Sequence, residues 1–145
     1  MTVTRGVLST GDSPELAFND DMDVSIFRSN ADIQSRTEFV AKGTSMFPAP
    51  SSIEITLEGS VFARSAVNQT LEIFDYQAGQ WDELDVRAAS RFTDSGFTVS
   101  VTDPDLSKYV EPGTNCVEAR VRFESPAPRQ RFASNTDHLI WVISQ

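Results

Sequence analysis

Apolar and polar residues alternate with a period of two along most of the chain. In "SIEITLEGSVF", Ile53, Ile55 and Leu57 fall on one face, and Glu54, Thr56 and Glu58 on the other. "FTVSV" sets Phe97, Val99 and Val101 against Thr98 and Ser100. "VEARVRF" sets Val117, Ala119, Val121 and Phe123 against Glu118, Arg120 and Arg122. A strand sends successive side chains to opposite faces, so these segments are predicted as antiparallel strands with one face on a core and one in water. Two segments are apolar on both faces. "LEIFDY" carries Leu71 and Ile73 on one side and Phe74 and Tyr76 on the other, while "HLIWVIS" alternates Leu139, Trp141 and Ile143 with Ile140 and Val142. These are expected inside a sheet or beneath a loop, and the last of them ties the end of the chain into the fold.

Turn chemistry separates the runs. "YQAGQ", 76–80, predicts a short hairpin between "LEIFDY" and "WDELDVR", and Asp94-Ser-Gly96 marks another turn. "DPDLSKYVEPGTN" contains Pro104 and Pro112-Gly113 and predicts one helical turn around 106–110. A strand is predicted to begin directly after Asp23, with Val24 and Ile26 alternating against Ser25 and Phe27. About eight to ten short strands, roughly 8–14 residues apart, read as an all-β fold. Strands of unequal length and proline-bearing connections favour an antiparallel, jelly-roll-like β-sandwich over a closed barrel, with at most short helical turns.

The 145 residues fit a single domain, 1–145, large enough to bury a core of its own. With 39% hydrophobic and 23% charged residues the composition is that of a globular domain, and no apolar run reaches the roughly 18–20 residues of a membrane span. A net charge of −9 argues against a nucleic-acid partner and leaves neutral or cationic partners open. Arg120, Arg122, Arg129 and Arg131 form a local basic stretch, read as a solvated strand face because Glu118 and Glu124 interleave with it. Cys116 is alone, so no intramolecular disulfide forms, and it is expected to pack as a small hydrophobe at a strand start.

Candidate chemistry is sparse. His138 is the single histidine, and no nucleophile elbow, P-loop, zinc-protease helix or paired-cysteine motif occurs, so no catalytic residue is assigned and the chain is read as a non-enzyme. "FNDDMD" places Asn19, Asp20, Asp21 and Asp23 at a strand entrance, where such residues favour turns and could also give oxygens to a structural calcium ion. The EF-hand spacing is missing. Trp81 follows the predicted hairpin turn, with Phe74, Tyr76 and Phe47 able to flank it. Two readings stay open for it: a platform for stacking sugar rings, or a lid on the core. Trp141 belongs to the buried last strand.

One set of motifs spans nearly the whole chain: the Thr4-Arg5-Gly6 opening, Leu16 followed by Asp20-Asp21, Gly79-x-Trp81-x-x-Leu84, Arg87-Ala-Ala, "YVEPGT" at 109–114, and the closing Asp137 and Trp141. It resembles β-sandwich modules of large exported bacterial proteins, of the galactose-binding-like or jelly-roll kind. That resemblance implies a secreted or surface-displayed accessory module, a polysaccharide or glycan ligand, and neighbouring modules in a parent protein. It also implies Asp137 as a calcium ligand beside Asp20, Asp21 and Asp23. The alternative is a structural or adhesive module that contacts protein.

Overall fold

The computed structural model describes residues 1–17, 22–31 and 33–145. Ten strands form two five-stranded antiparallel sheets. In chain order they are β1 (Thr2–Arg5), β2 (Val7–Thr10), β3 (Val24–Phe27), β4 (Arg36–Thr44), β5 (Ser52–Ala63), β6 (Asn68–Asp75), β7 (Gln80–Ala88), β8 (Ser95–Ser100), β9 (Cys116–Glu124) and β10 (Phe132–Ser144). The first sheet runs β1-β4-β9-β6-β7 and the second β2-β3-β10-β5-β8. Helix is confined, among the described residues, to the short 3₁₀ turns Glu15–Ala17 and Leu106–Tyr109, the second in the position predicted. The all-β sandwich expected from the alternation is the fold observed.

The core lies between the sheets. Ile53, Ile55 and Leu57 of β5 face Leu71 and Ile73 of β6 and Val117, Ala119, Val121 and Phe123 of β9 across it, all buried. Each is an inward position of an alternating strand, so the periodicity and the packing coincide. Both doubly apolar segments are interior strands: β6 lies between β9 and β7, and β10 between β3 and β5. Thr37 and Ser134 add a buried polar tie between the sheets, their hydroxyls 2.7 Å apart.

Two glycines carry conformational demands. At Gly6 the chain leaves β1 in one sheet and enters β2 in the other, with φ of +103°, and a Cβ would fall 2.6 Å from Ile26 Cγ2. Only glycine accepts that backbone without strain. Gly43 faces inward from β4 against the indole of Trp141, where a Cβ would lie 2.6 Å from Cε2. Trp141 therefore packs between the sheets at the expense of any side chain opposite it.

The ladder between β10 and β5 breaks register once, between Thr136 and His138, making Asp137 a bulge residue. The bulge reverses which positions face inward. Phe132, Ser134 and Thr136 point to the core before it, and Leu139, Trp141 and Ile143 after it.

Candidate functional site

Strand parity places a charged surface on the outside of the first sheet. Val117 to Phe123 face the core at odd positions, so Glu118, Arg120 and Arg122 face out. Their register partners Lys42, Val40 and Glu38 on β4, and Glu72 and Thr70 on β6, share that face. Phe74 and Tyr76 continue it, and Trp81 on β7 pairs directly with Phe74.

This face is charged but shielded. Arg120 binds Glu72 through Nε to Oε2 at 2.5 Å and through Nη2 to Oε1 at 2.8 Å, while Arg122 Nη1 stands 3.7 Å from Oε1. Only 6% of the Glu72 side chain is exposed. Glu38 accepts from Arg36 Nη2 at 2.5 Å and from Thr4 Oγ1 at 2.8 Å. Glu118 accepts from Lys42 Nζ at 2.6 Å and from the Tyr76 hydroxyl at 3.2 Å. Paired donors make buried carboxylates tolerable and fix their positions. Burial, reinforced by the neighbouring Cys116 and Glu118, pushes the Tyr76 phenol well above its ordinary value, so it stays a donor at neutral pH. The bond to Glu118 likewise raises Lys42.

An aromatic wall closes one side. Phe74 meets Tyr76 edge-on, with centroids 5.0 Å apart, and meets Trp81 at 5.1 Å. The Arg120 guanidinium sits 4.5 Å from the centre of the Trp81 ring, so one residue joins the wall to the carboxylate floor. All three rings are half-buried. Trp81 also borders a cleft of about 350 Å³ with Asp82 and Tyr109, and Tyr76 borders another of about 250 Å³. Ring faces beside fixed carboxylates and guanidiniums can stack on apolar faces of a ligand and bond its hydroxyls at once.

The hairpin that carries the wall is pinned from below. After Asp75 the chain turns, with the N–H groups of Gln77 and Ala78 each donating to Asp75 Oδ1 at 2.8 Å. Lys108, from the second 3₁₀ turn, reaches Asp103 at 2.9 Å and Asp75 and Asp82 at 3.3 Å each. The Tyr109 hydroxyl donates to Asp82 at 3.0 Å. The backbone bonds to its carboxylate, together with Lys108, hold Asp75 below its ordinary range; the Lys108 bond lowers Asp103, and Asp103 foremost raises Lys108.

The structure thus brings Phe74, Tyr76 and Trp81 together and places Trp81 on the outer face rather than over the core. Phe47 lies half-buried in the β4–β5 connection, outside their ring contacts. The reading of Arg120 and Arg122 as solvated is corrected: their side chains are 19% and 21% exposed and they engage Glu72 across strands, not the interleaved acids. Arg129 and Arg131 lie elsewhere, in the loop before β10. Cys116 begins β9 as expected, but half-buried on the outer face. His138 is half-buried opposite Glu58.

Of the proposed calcium ligands, Asp20 and Asp21 lie outside the described residues. Asp23 directly precedes β3, and the register pairing Val24 with Thr136 sets it opposite Asp137, itself 2% exposed. Among the described residues no group of three or more His, Cys, Asp or Glu is placed to hold a metal ion. The two described carboxylates alone fall short of the six to eight oxygens that calcium takes.

No family model matches the sequence, nor does any curated protein. Solved structures do share the fold. The chain is similar to TmCBM61 in complex with β-1,4-galactotriose, at 11% identity and a TM-score of 0.54, over 90% of this chain and 77% of that one. It is similar to the bacteriophage CBA120 tailspike protein 4 enzymatically active domain, at 15% identity and 0.51, covering 98% of this chain but 19% of the tailspike. It is also similar to the CBM22-1–GH10 modules of Clostridium thermocellum xylanase 10B, complexed with xylohexaose, at 6% and 0.50, covering all of this chain and 29% of that one. The β-sandwich fold is one that this chain shares with these structures, carbohydrate-binding modules among them.

Proposed function

We propose that this protein is a non-catalytic polysaccharide-binding module, displayed outside the cell as part of a larger protein, whose ligand lies on the outer face of the first sheet. The observation that carries the reading is the Phe74–Tyr76–Trp81 wall held against an ion-paired floor by Arg120. Trp81 and Tyr76 stack on sugar rings, while Glu118, Lys42 and Arg120 bond hydroxyls. The fold shared with sugar-complexed modules supports it. Asp23 and Asp137, the described candidates for a calcium ion, lie on the second sheet, away from this face.

Affinity electrophoresis against neutral glycans, including β-1,4-galactan and xylan, tests the proposal. At least one glycan should retard the protein, and Trp81→Ala should weaken that interaction about tenfold or more, since a ring platform supplies an appreciable share of such binding. Uniform lack of retardation would remove it. Concentration-dependent self-association without any glycan response would instead favour the adhesive, protein-contacting alternative.

A further inference from the structure

The outer face of the second sheet carries a feature that this reading does not use. Strand register aligns Val7, Phe27, Ala133 and Phe62 in one row across β2, β3, β10 and β5. Phe92, in the β7–β8 connection, closes the row with its ring edge-on to Phe62 at 5.2 Å. Phe27, Phe62 and Phe92 are 51%, 68% and 62% exposed. They line a groove of about 820 Å³.

Charge collects around it. Arg28, Arg64 and Arg131 line the groove, Arg129 lines the adjoining cleft of about 480 Å³, and Arg91 donates to the Arg64 carbonyl at 3.3 Å. Five of the ten arginines of an acidic protein therefore gather here, and among the described residues the flanking loops hold one acid, Asp94. Gln130 in the groove wall accepts from Ser65 and Ser125 through Oε1, while its amide nitrogen has no hydrogen-bond partner among the described residues.

The backbone is committed to this arrangement. Three non-glycine residues among those described have positive φ, and two of them, Phe92 at +69° and Arg129 at +60°, belong to this site. A bulky residue in that region is strained and persists only where its surroundings hold it. Here Phe92 N–H donates to the Val61 carbonyl at 3.1 Å, and Val61 N–H to the Ser90 carbonyl at 2.8 Å.

We infer that this groove is a second binding site, for an anionic polysaccharide whose sugar faces stack on the phenylalanines while its carboxylate or sulfate groups pair with the arginine forks. Planar guanidiniums match such groups two bonds at a time. Phe27 and Phe62 stand two strand spacings apart, ~10 Å, about the length of two sugar residues, so a chain crossing the strands meets both rings. A second copy of this protein docked face to face would set arginines against arginines. A peptide adding as a strand requires a sheet edge, whereas the row crosses the sheet face.

Affinity electrophoresis and calorimetry with polygalacturonate, for carboxylate, and carrageenan, for sulfate, test the site. At least one should bind, more weakly as salt rises. Phe62→Ser, at an exposed position, should reduce that affinity about tenfold, and Arg64→Gln with Arg131→Gln should reduce both the affinity and its salt dependence. Phe92→Gly should weaken binding while leaving the melting temperature equal or higher, an outcome that a purely structural role for the ring does not give. Any neutral-glycan response should survive Phe62→Ser, so failure of the first-sheet site does not affect the result. Equal retention on polyphosphate with Phe62→Ser silent would show bare charge attraction and overturn the inference. So would binding to vesicles of anionic lipid in place of both polysaccharides.

Discussion

Arg120→Met deletes both bonds to Glu72 while keeping a long side chain in place. Glu72, with 6% of its side chain exposed, is then left with Arg122 at 3.7 Å. Removing one partner from a fully buried pair costs about 3–5 kcal/mol, and an exposed pair is worth about 0–1. Arg120 is itself 19% exposed and Arg122 remains, so an intermediate cost of ~2 kcal/mol is expected. Loss of the cation from the Trp81 face adds ~0.5–1 kcal/mol. The total, ~2.5–3 kcal/mol, corresponds to a fall in Tm of about 5–12 °C for a domain of this size. Glu72→Gln keeps an acceptor and should cost less. Urea unfolding of the parent, both single variants and the double variant completes a cycle, with the summed emission of Trp81 and Trp141 reporting the transition. The double variant should be more stable than the summed singles imply, by ~1–2 kcal/mol. Additivity within ~0.3–0.5 kcal/mol would refute the argument that this pair holds the outer face of the first sheet together.

Gly43→Ala forces a methyl group onto Trp141 and should cost about 1–3 kcal/mol, falling below ~1 in a Trp141→Phe background; equal costs by denaturant titration in both backgrounds would contradict the packing described. The Lys108 cluster sets a pH window. Asp75 and Asp103 are lowered on folding, so their contribution is complete above 3.8 and is lost as pH falls through their folded values; Lys108 is raised, so its contribution is complete below 10.5 and is lost at more alkaline pH. Lys108→Met should therefore flatten the acid limb of Tm against pH, and superimposable limbs would count against the cluster. A thermal titration with calcium addresses Asp23 and Asp137: a rise in Tm that Asp137→Asn abolishes identifies them as ligands, and an unchanged Tm reduces the acidic run to a turn.

Alternation in β5, β8 and β9 made the sandwich legible in the sequence, because one wet and one dry face leave a period of two. The hairpin grouping Phe74, Tyr76 and Trp81 was legible for the same reason, being local in the chain. The floor was not. Glu72 and Arg120 are 48 positions apart, and only the β6–β9 register makes them neighbours. The division of β1 and β2 between sheets was also hidden, since four-residue strands carry little periodicity. The second groove did leave a trace: phenylalanine stands beside or near arginine at 27–28, 62–64 and 91–92. Each instance looks ordinary alone, and its meaning depends on strand parity turning Phe27 and Phe62 outward.

The crossover at Gly6 gives the two ends of the chain different mechanical properties. The first ten residues contribute an edge strand to each sheet, each paired on one side by a short ladder with a register break. The last thirteen or so form β10, an interior strand bonded on both sides and paired to β5 through twelve positions. Tension applied across the chain meets a seam at one end and an anchor at the other. Peeling the N-terminal seam would bare β4 and β3 as new sheet edges and take Val7 from the second-sheet row, while Phe27, Phe62 and the Phe74–Tyr76–Trp81 wall, on other strands, stayed in place. Under load, the module would lengthen by a defined step before the aromatic residues of either outer face were displaced.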